Sequence, residues 1–335
     1  MQVRFPPRPP FFHSNMSLAI VTTTNEGNIL AADSMETYRN SLGDTREGSQ
    51  TRMKLFQLNE RVGAVACGLS FLENKNIHQH VLLFKRLNQL QNLPVAEIAG
   101  RMYDYFSEKY SKYLQQSGER RVTEYEGRNF KEVKTAMELE CITVSYKDPE
   151  GKKGEQKFYQ PIIEFLIAGH DPDGTNQVYK LTIPDPKEKN GVVLKLSKDQ
   201  CGATWIGQTD VLVRIIRGWS PEIKRLKAVM EIPDKKREEL LRAIDDQEYL
   251  INWATMTFQD AIEFSNLAIK TTESIQKITD GTWQYPGSSP GVGGEVDVAV
   301  TTPDKGFVWL QKKKIGVGAT AIDLDSLQDL NEPQF

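Results

Sequence analysis

The stretch Asn15–Asn40, NMSLAIVTTTNEGNILAADSMETYRN, carries two short apolar runs hinged on Asn25-Glu26-Gly27-Asn28. Such a hinge reads as a hairpin turn. It sets Met16-Ser17 at the head of the first run and an Asp-Ser pair, Asp33-Ser34, at the far end of the second. A hydroxyl and a carboxylate placed this way ask what chemistry they serve. The other reactive side chains form weaker patterns. The chain has four histidines, none in a recognisable triad context, and His78 and His80 are two apart, so they would not share a helical face that could hold a metal. The acidic run His170-Asp171-Pro172-Asp173-Gly174 lacks the bidentate Glu of a calcium loop and reads as a turn. Cys67, Cys141 and Cys201 are scattered, without metal-like or CxxC spacing, and read as core thiols of a reducing, cytoplasmic compartment. No GxGxxG or P-loop is present, and nothing calls for a cofactor or a metal.

The elements that must position Ser17 and Asp33 follow from composition and periodicity. A chain of 335 residues, 39% hydrophobic and 26% charged, can bury a large core. Its net charge of -3 gives no sign of a nucleic-acid surface. Prolines at 6, 7, 9 and 10 break every apolar run near the N-terminus, which leaves neither a signal sequence nor a membrane helix there. Residues 1–16 read as an extension, either removed or upstream of a start at Met16. After the hairpin come a polar loop near 40–50, the strand-like MKLFQL and RVGAVACG, and two helices around 70–90 and 95–114. A charged, aliphatic-poor insertion is expected at 117–138. Strands CITVSY, IIEFLIAG, VYKLTI and VVLKL follow, then a charged helical hairpin within an insertion at 218–252, an amphipathic helix from Thr257, strands EVDVAVTT and GFVWLQKKKI, and an acidic tail at 319–335. That order suits an α+β layered domain.

The blocks SLAIVTTTNEGNILAADS, TRMKLFQL, GAVACG, AGHDPDG and GGEVDVAVTTPDKGFVWLQKKKI, in this order from Ser17 to about Ile315, resemble the proteasome β-subunit family of N-terminal-nucleophile hydrolases, in its bacterial-type form. The resemblance implies a four-layer αββα sandwich over 17–318 and assembly into homo-oligomeric rings. It also implies an acyl-enzyme chemistry. A hydroxyl on the first residue of a mature chain lies beside a free α-amine with a pKa of about 7.7–8.0, which can serve as base without a histidine. The family places its first residue sixteen positions before the aspartate of the AADS block, which selects Ser17 over Thr22, Thr23 and Thr24.

Carried over in the same way, Asp33 is the buried carboxylate that orients Lys54, whose ammonium lowers the cost of charge on the nucleophile. Replacing Lys54 is expected to stop acylation and to leave folding largely intact. Gly68 supplies an oxyanion N–H, and Asp280 is the candidate for holding the α-amine. Departures are equally plain. Ser replaces the usual Thr, Met35 stands where the family has Arg, and Gln208 and Val292 stand where it has supporting serines. The expected activity is cleavage of peptide or unfolded protein by an N-terminal-serine peptidase, with an ATPase unfoldase as a partner and neither nucleic acid nor membrane involved. The alternatives are a peptide ligase using the same acyl-enzyme and a non-catalytic ring or scaffold subunit.

Overall fold

Strands β1 (Leu18–Thr24) and β2 (Gly27–Ala32) pair antiparallel around the Asn25–Glu26 turn, and every residue of both is buried. Their apolar runs are continuous rather than alternating because both faces are covered. The chain goes on through β3 (Leu55–Gln57), β4 (Val62–Gly68), α1 (Ile77–Leu87), α2 (Val95–Gly127), β5 (Lys131–Glu138), β6 (Cys141–Lys147), β7 (Lys153–Tyr159), β8 (Ile163–His170), β9 (Asn176–Ile183) and β10 (Val192–Leu196). Then follow β11 (Gly202–Gly207), α3 (Asp210–Arg217), α4 (Asp234–Asp245), α5 (Phe258–Ile278), β12 (Asp297–Thr302) and β13 (Gly306–Gln311), with shorter elements between. This computed structural model describes residues 17–39, 45–185, 191–198, 200–282, 285–286, 290–313, 315–317 and 320–322. The expected extension at 1–16 and most of the acidic tail lie outside them.

The architecture is mixed α+β with several antiparallel sheets. One five-stranded sheet runs β11–β1–β2–β12–β13, and a second runs β10–β9–β8–β4–β3. Ala19, Val21, Leu30 and Ala32 of the first sheet share an apolar cluster with Val65, Leu166, Ala168 and Val178 of the second. The alternate residues of the hairpin, Leu18, Ile20, Ile29 and Ala31, pack instead with Leu212 and Ile216 of α3 and Ala261, Ala268 and Ile269 of α5. On the second sheet, Ala64, Phe165 and Ile167 turn the other way, onto Ile98, Met102 and Phe106 of α2. The period-2 alternation of side chains thus serves a different core on each face.

The charged stretch 117–138, expected as a solvated insertion, is ordered. Its first part is the end of the 33-residue α2, and its last eight residues are β5, an outer strand of the three-stranded sheet β7–β6–β5. Tyr125, Phe130, Tyr146 and Phe158 form an aromatic cluster that ties helix to sheet. Propensity and charge concealed this, because the stretch has few apolar residues and most of β5 is exposed. In contrast, the 218–252 segment contributes mainly short helices and α4, which buries no residue. Among the described residues no helix is long and apolar enough to cross a membrane.

Candidate active site

Ser17 immediately precedes β1, and its neighbours fix it before any side chain is considered. Leu18 pairs with Gly207 at the end of β11, and the Gln208 N–H donates to the Ser17 carbonyl at 2.7 Å. Gly207 has φ +91°, and a Cβ there would stand 2.1 Å from the Ser17 carbonyl oxygen, so only glycine allows this approach. Ser17 itself is 3% exposed. Asp33 leaves the far end of β2, brought level with Leu18 by the hairpin register that pairs Ala19 with Ala32.

Lys54 enters from the segment before β3. Its Nζ donates to Ser17 Oγ at 2.6 Å, to Asp33 Oδ1 at 2.9 Å and to the Met35 carbonyl. All three ammonium protons are engaged. Asp33 is fully buried and takes four donors: Lys54 Nζ and the Leu18 N–H (3.1 Å) on Oδ1, and the N–H groups of Met35 (3.2 Å) and Gly293 (3.1 Å) on Oδ2. A buried carboxylate is tolerated only when saturated in this way. Lys54 is 7% exposed, so its removal would leave a buried charge uncompensated. The expectation that folding would survive its loss largely intact is corrected on that ground.

Gly68 ends β4 opposite Ile163. With φ +98° and an added Cβ only 2.0 Å from the Ile162 carbonyl oxygen, its glycine is required by the β4–β8 pairing itself, whatever approaches from outside. It adjoins Cys67, whose Sγ would lie 3.0 Å from a Cβ on Gly207. Burial pushes the Cys67 thiol well above the usual range, against the opposing pull of Lys54, which makes it a poor rival nucleophile. Asp280 has no hydrogen bond to this cluster among the described residues. It is exposed just past the end of α5.

Two groups that the sequence reading did not single out complete the surroundings. Gln276 of α5 donates to Gln208 Oε1 at 2.8 Å and accepts the N–H groups of Gly291 and Val292, each at 3.0 Å. An amide clamp therefore occupies the place where the resemblance implies serine hydroxyls. Asp297 and Lys313 form a second buried ion pair, in which Asp297 also accepts the Lys313 N–H at 2.9 Å. A charged residue inside the apolar run EVDVAV was the available signal. Among the described residues no group of three or more His, Cys, Asp or Glu side chains could hold a metal ion.

No family model matches the chain, and no curated protein matches it. Among solved structures, Anbu (ancestral beta-subunit) from Yersinia bercovieri aligns with a TM-score of 0.43 and 11% identity, covering 88% of this chain and 87% of that one. The Anbu (Gly-1) mutant from Hyphomicrobium sp. strain MC1 aligns with a TM-score of 0.42 and 12% identity, covering 94% and 92%. Similarity at this level carries no argument about activity. These findings correct the assignment to the proteasome β-subunit family, bacterial-type or otherwise: no family model supports it. The blocks that suggested it are short strands and turns, whose residue types are constrained mainly by burial and backbone conformation. The likeness to these Anbu structures is distant.

Proposed function

We propose that the chain is an N-terminal-serine amidohydrolase that cleaves peptide bonds through an acyl-enzyme on Ser17. The observation that carries this reading is the Lys54 ammonium, 2.6 Å from Ser17 Oγ and with its remaining protons on Asp33 and the Met35 carbonyl. A cation in that position favours negative charge on the hydroxyl oxygen, yet as a donor to Oγ it cannot take the hydroxyl proton. The base must come from elsewhere. Loss of residues 1–16 would create an α-amine on Ser17 itself, within reach by covalent geometry and with a pKa of about 7.7–8.0.

The steps then balance. The amine accepts the hydroxyl proton as Oγ bonds to the substrate carbonyl carbon, and the carbonyl electrons move onto oxygen, with the Gly68 N–H as the proposed donor to that oxyanion. Collapse expels the amine half of the peptide, which leaves with the proton held by the Ser17 amine. Water, deprotonated by the same amine, attacks the ester and frees Ser17. Asp33 holds Lys54 in place, while Gln208 and Gly207 hold the Ser17 backbone. Asp280, exposed just past the end of α5, is assigned no step in this scheme.

The three apolar clusters, one between the sheets and one beneath each helical side, support a four-layer αββα arrangement for residues 17–318. The same proposal includes assembly of the chain with further copies of itself. Light scattering should then show a particle several times the 38.0 kDa chain mass. The experiment that tests the function is an intact mass of an active preparation. A chain beginning at Ser17 is expected, and an active, homogeneous chain that retains Met1 would overturn the mechanism.

A further inference from the structure

Asp297 opens β12 directly opposite Ala32 on β2, so it lies beside the point where Asp33 leaves the sheet. Both carboxylates are fully buried. Two buried carboxylates at neighbouring strand ends repel unless each has its own cation. Lys54 serves Asp33, and Lys313 serves Asp297 through both its Nζ and its backbone N–H. The placement of Lys313 is built into the sheet. The β12–β13 register shifts between Val298 and Ala299, which pair with Gln311 and Trp309, leaving Leu310 as an extra residue on β13. Leu310 and Gln311 are both exposed, and two residues later Lys313 is buried. A bulge of this kind re-aims the side chains that follow it. Burial pushes the Lys313 ammonium below the ordinary lysine range against the pull of Asp297, and Lys313 also feels the charges of Lys54 and Asp33. On the other side, Glu164 pairs with Lys180 at 2.6 Å and accepts the Gly207 N–H at 3.2 Å. The ions around Ser17 are therefore arranged as balanced pairs.

We propose that Asp297–Lys313 is a positioning pair for Asp33–Lys54: by neutralising Asp297, Lys313 keeps the Lys54 ammonium on Ser17 rather than letting it be drawn toward a second carboxylate. The proposal rests on the Ser17 reading for its activity readout, but not for its second readout. The test compares Lys313→Met and Lys313→Arg with the parent protein in two measurements. One is the rate at which a peptide carrying a serine-reactive electrophile labels Ser17. The other is the hydrogen-exchange rate of the Lys54 ammonium, followed by NMR of lysine-labelled protein. Lys313→Met should slow labelling about tenfold and speed Lys54 exchange about tenfold, as expected for coupled charges in one network, while Lys313→Arg should return both to within about threefold. A folded Lys313→Met protein with unchanged Lys54 exchange would overturn the proposal. If Lys313→Met does not fold, Lys313→Gln, which removes the cation but leaves a polar group for the still-charged Asp297, is measured in its place, and unchanged exchange there has the same force. If the parent protein fails to label, the Ser17 reading falls alone, and Lys54 exchange decides the positioning claim.

Discussion

Two regions of the chain are rich in charge and hold it in opposite ways. Around Ser17, Asp33 and Lys54 are buried and their hydrogen-bonding capacity is fully used, with backbone N–H groups from three separate segments converging on one carboxylate. In the 218–252 segment the ion pairs are solvated: Lys227–Glu231 has side chains 89% and 65% exposed, and Arg242–Glu238 is similar. Exposed pairs contribute little to stability because water and salt screen them. A buried pair carries a desolvation cost, and removing one partner leaves that cost uncompensated. The difference teaches where charge is there for chemistry and where it keeps a surface wet.

The sharpest way to break the comparison is Lys54→Met. Loss of the cation should slow labelling of Ser17 by about 100-fold or more, and chemical denaturation should show a loss of about 3–5 kcal/mol, the usual cost of breaking a buried pair. Unchanged labelling with unchanged stability would mean that the buried pair behaves like a surface one.

A smaller effect is expected at the glycines that bring the site's backbone together. Gly68→Ala forces a Cβ toward the Ile162 carbonyl at a φ of +98°. Urea unfolding should show a loss of about 1–3 kcal/mol from overpacking and backbone strain. A neutral result would show that β4 and β8 can part there without cost.

Buried titratable groups should also give stability a pH dependence that the exposed pairs do not. Burial lowers His80 and His170 below the ordinary value of 6.5. His80 is satisfied as the neutral ring, with Nε2 3.0 Å from the Leu72 carbonyl and Nδ1 3.2 Å from the Tyr105 hydroxyl. Because the unfolded chain then binds protons that the folded chain resists, stability should fall as pH drops from 7 through about 6.5 and below, and level off beneath the folded values. Thermal unfolding between pH 7 and pH 5 checks this, and replacing His80 by Phe should flatten part of the slope. The smallest effect belongs to the solvated region: Lys227→Ala or Glu238→Ala should change stability by no more than about 0.5 kcal/mol in either direction, read from denaturation midpoints.

Much of the frame was legible in the sequence because burial leaves a periodic trace. The hairpin of Leu18–Ala32, the strands through Val62, Ile163 and Asp297, and the helix from Phe258 all carry runs whose apolar spacing matches their element. The ordered lobe of β5, β6 and β7 was less legible. β5 and β7 expose most of their side chains, so Lys131–Glu138 reads as charge rather than as sheet and Lys153–Tyr159 gives no apolar run at all, whereas β6 is the strand read as CITVSY. At the site, Ser17, Asp33 and Lys54 meet because strand register carries them to one end, and the spacing of Ser17 and Asp33 on a hairpin was readable. Gln276 and Lys313 were not, since each reaches the cluster through a tertiary contact that no local pattern encodes. Asp280, chosen through the resemblance rather than from any local pattern, lies exposed just past the end of α5.

The most direct test of the account is to map the covalent adduct. The purified protein is treated with a peptide bearing a serine-reactive electrophile, digested, and analysed by tandem mass spectrometry. The account predicts an adduct on the side-chain oxygen of Ser17, in a peptide whose first residue is Ser17. An adduct on another residue, or on a Ser17 still joined to Met16, would contradict it.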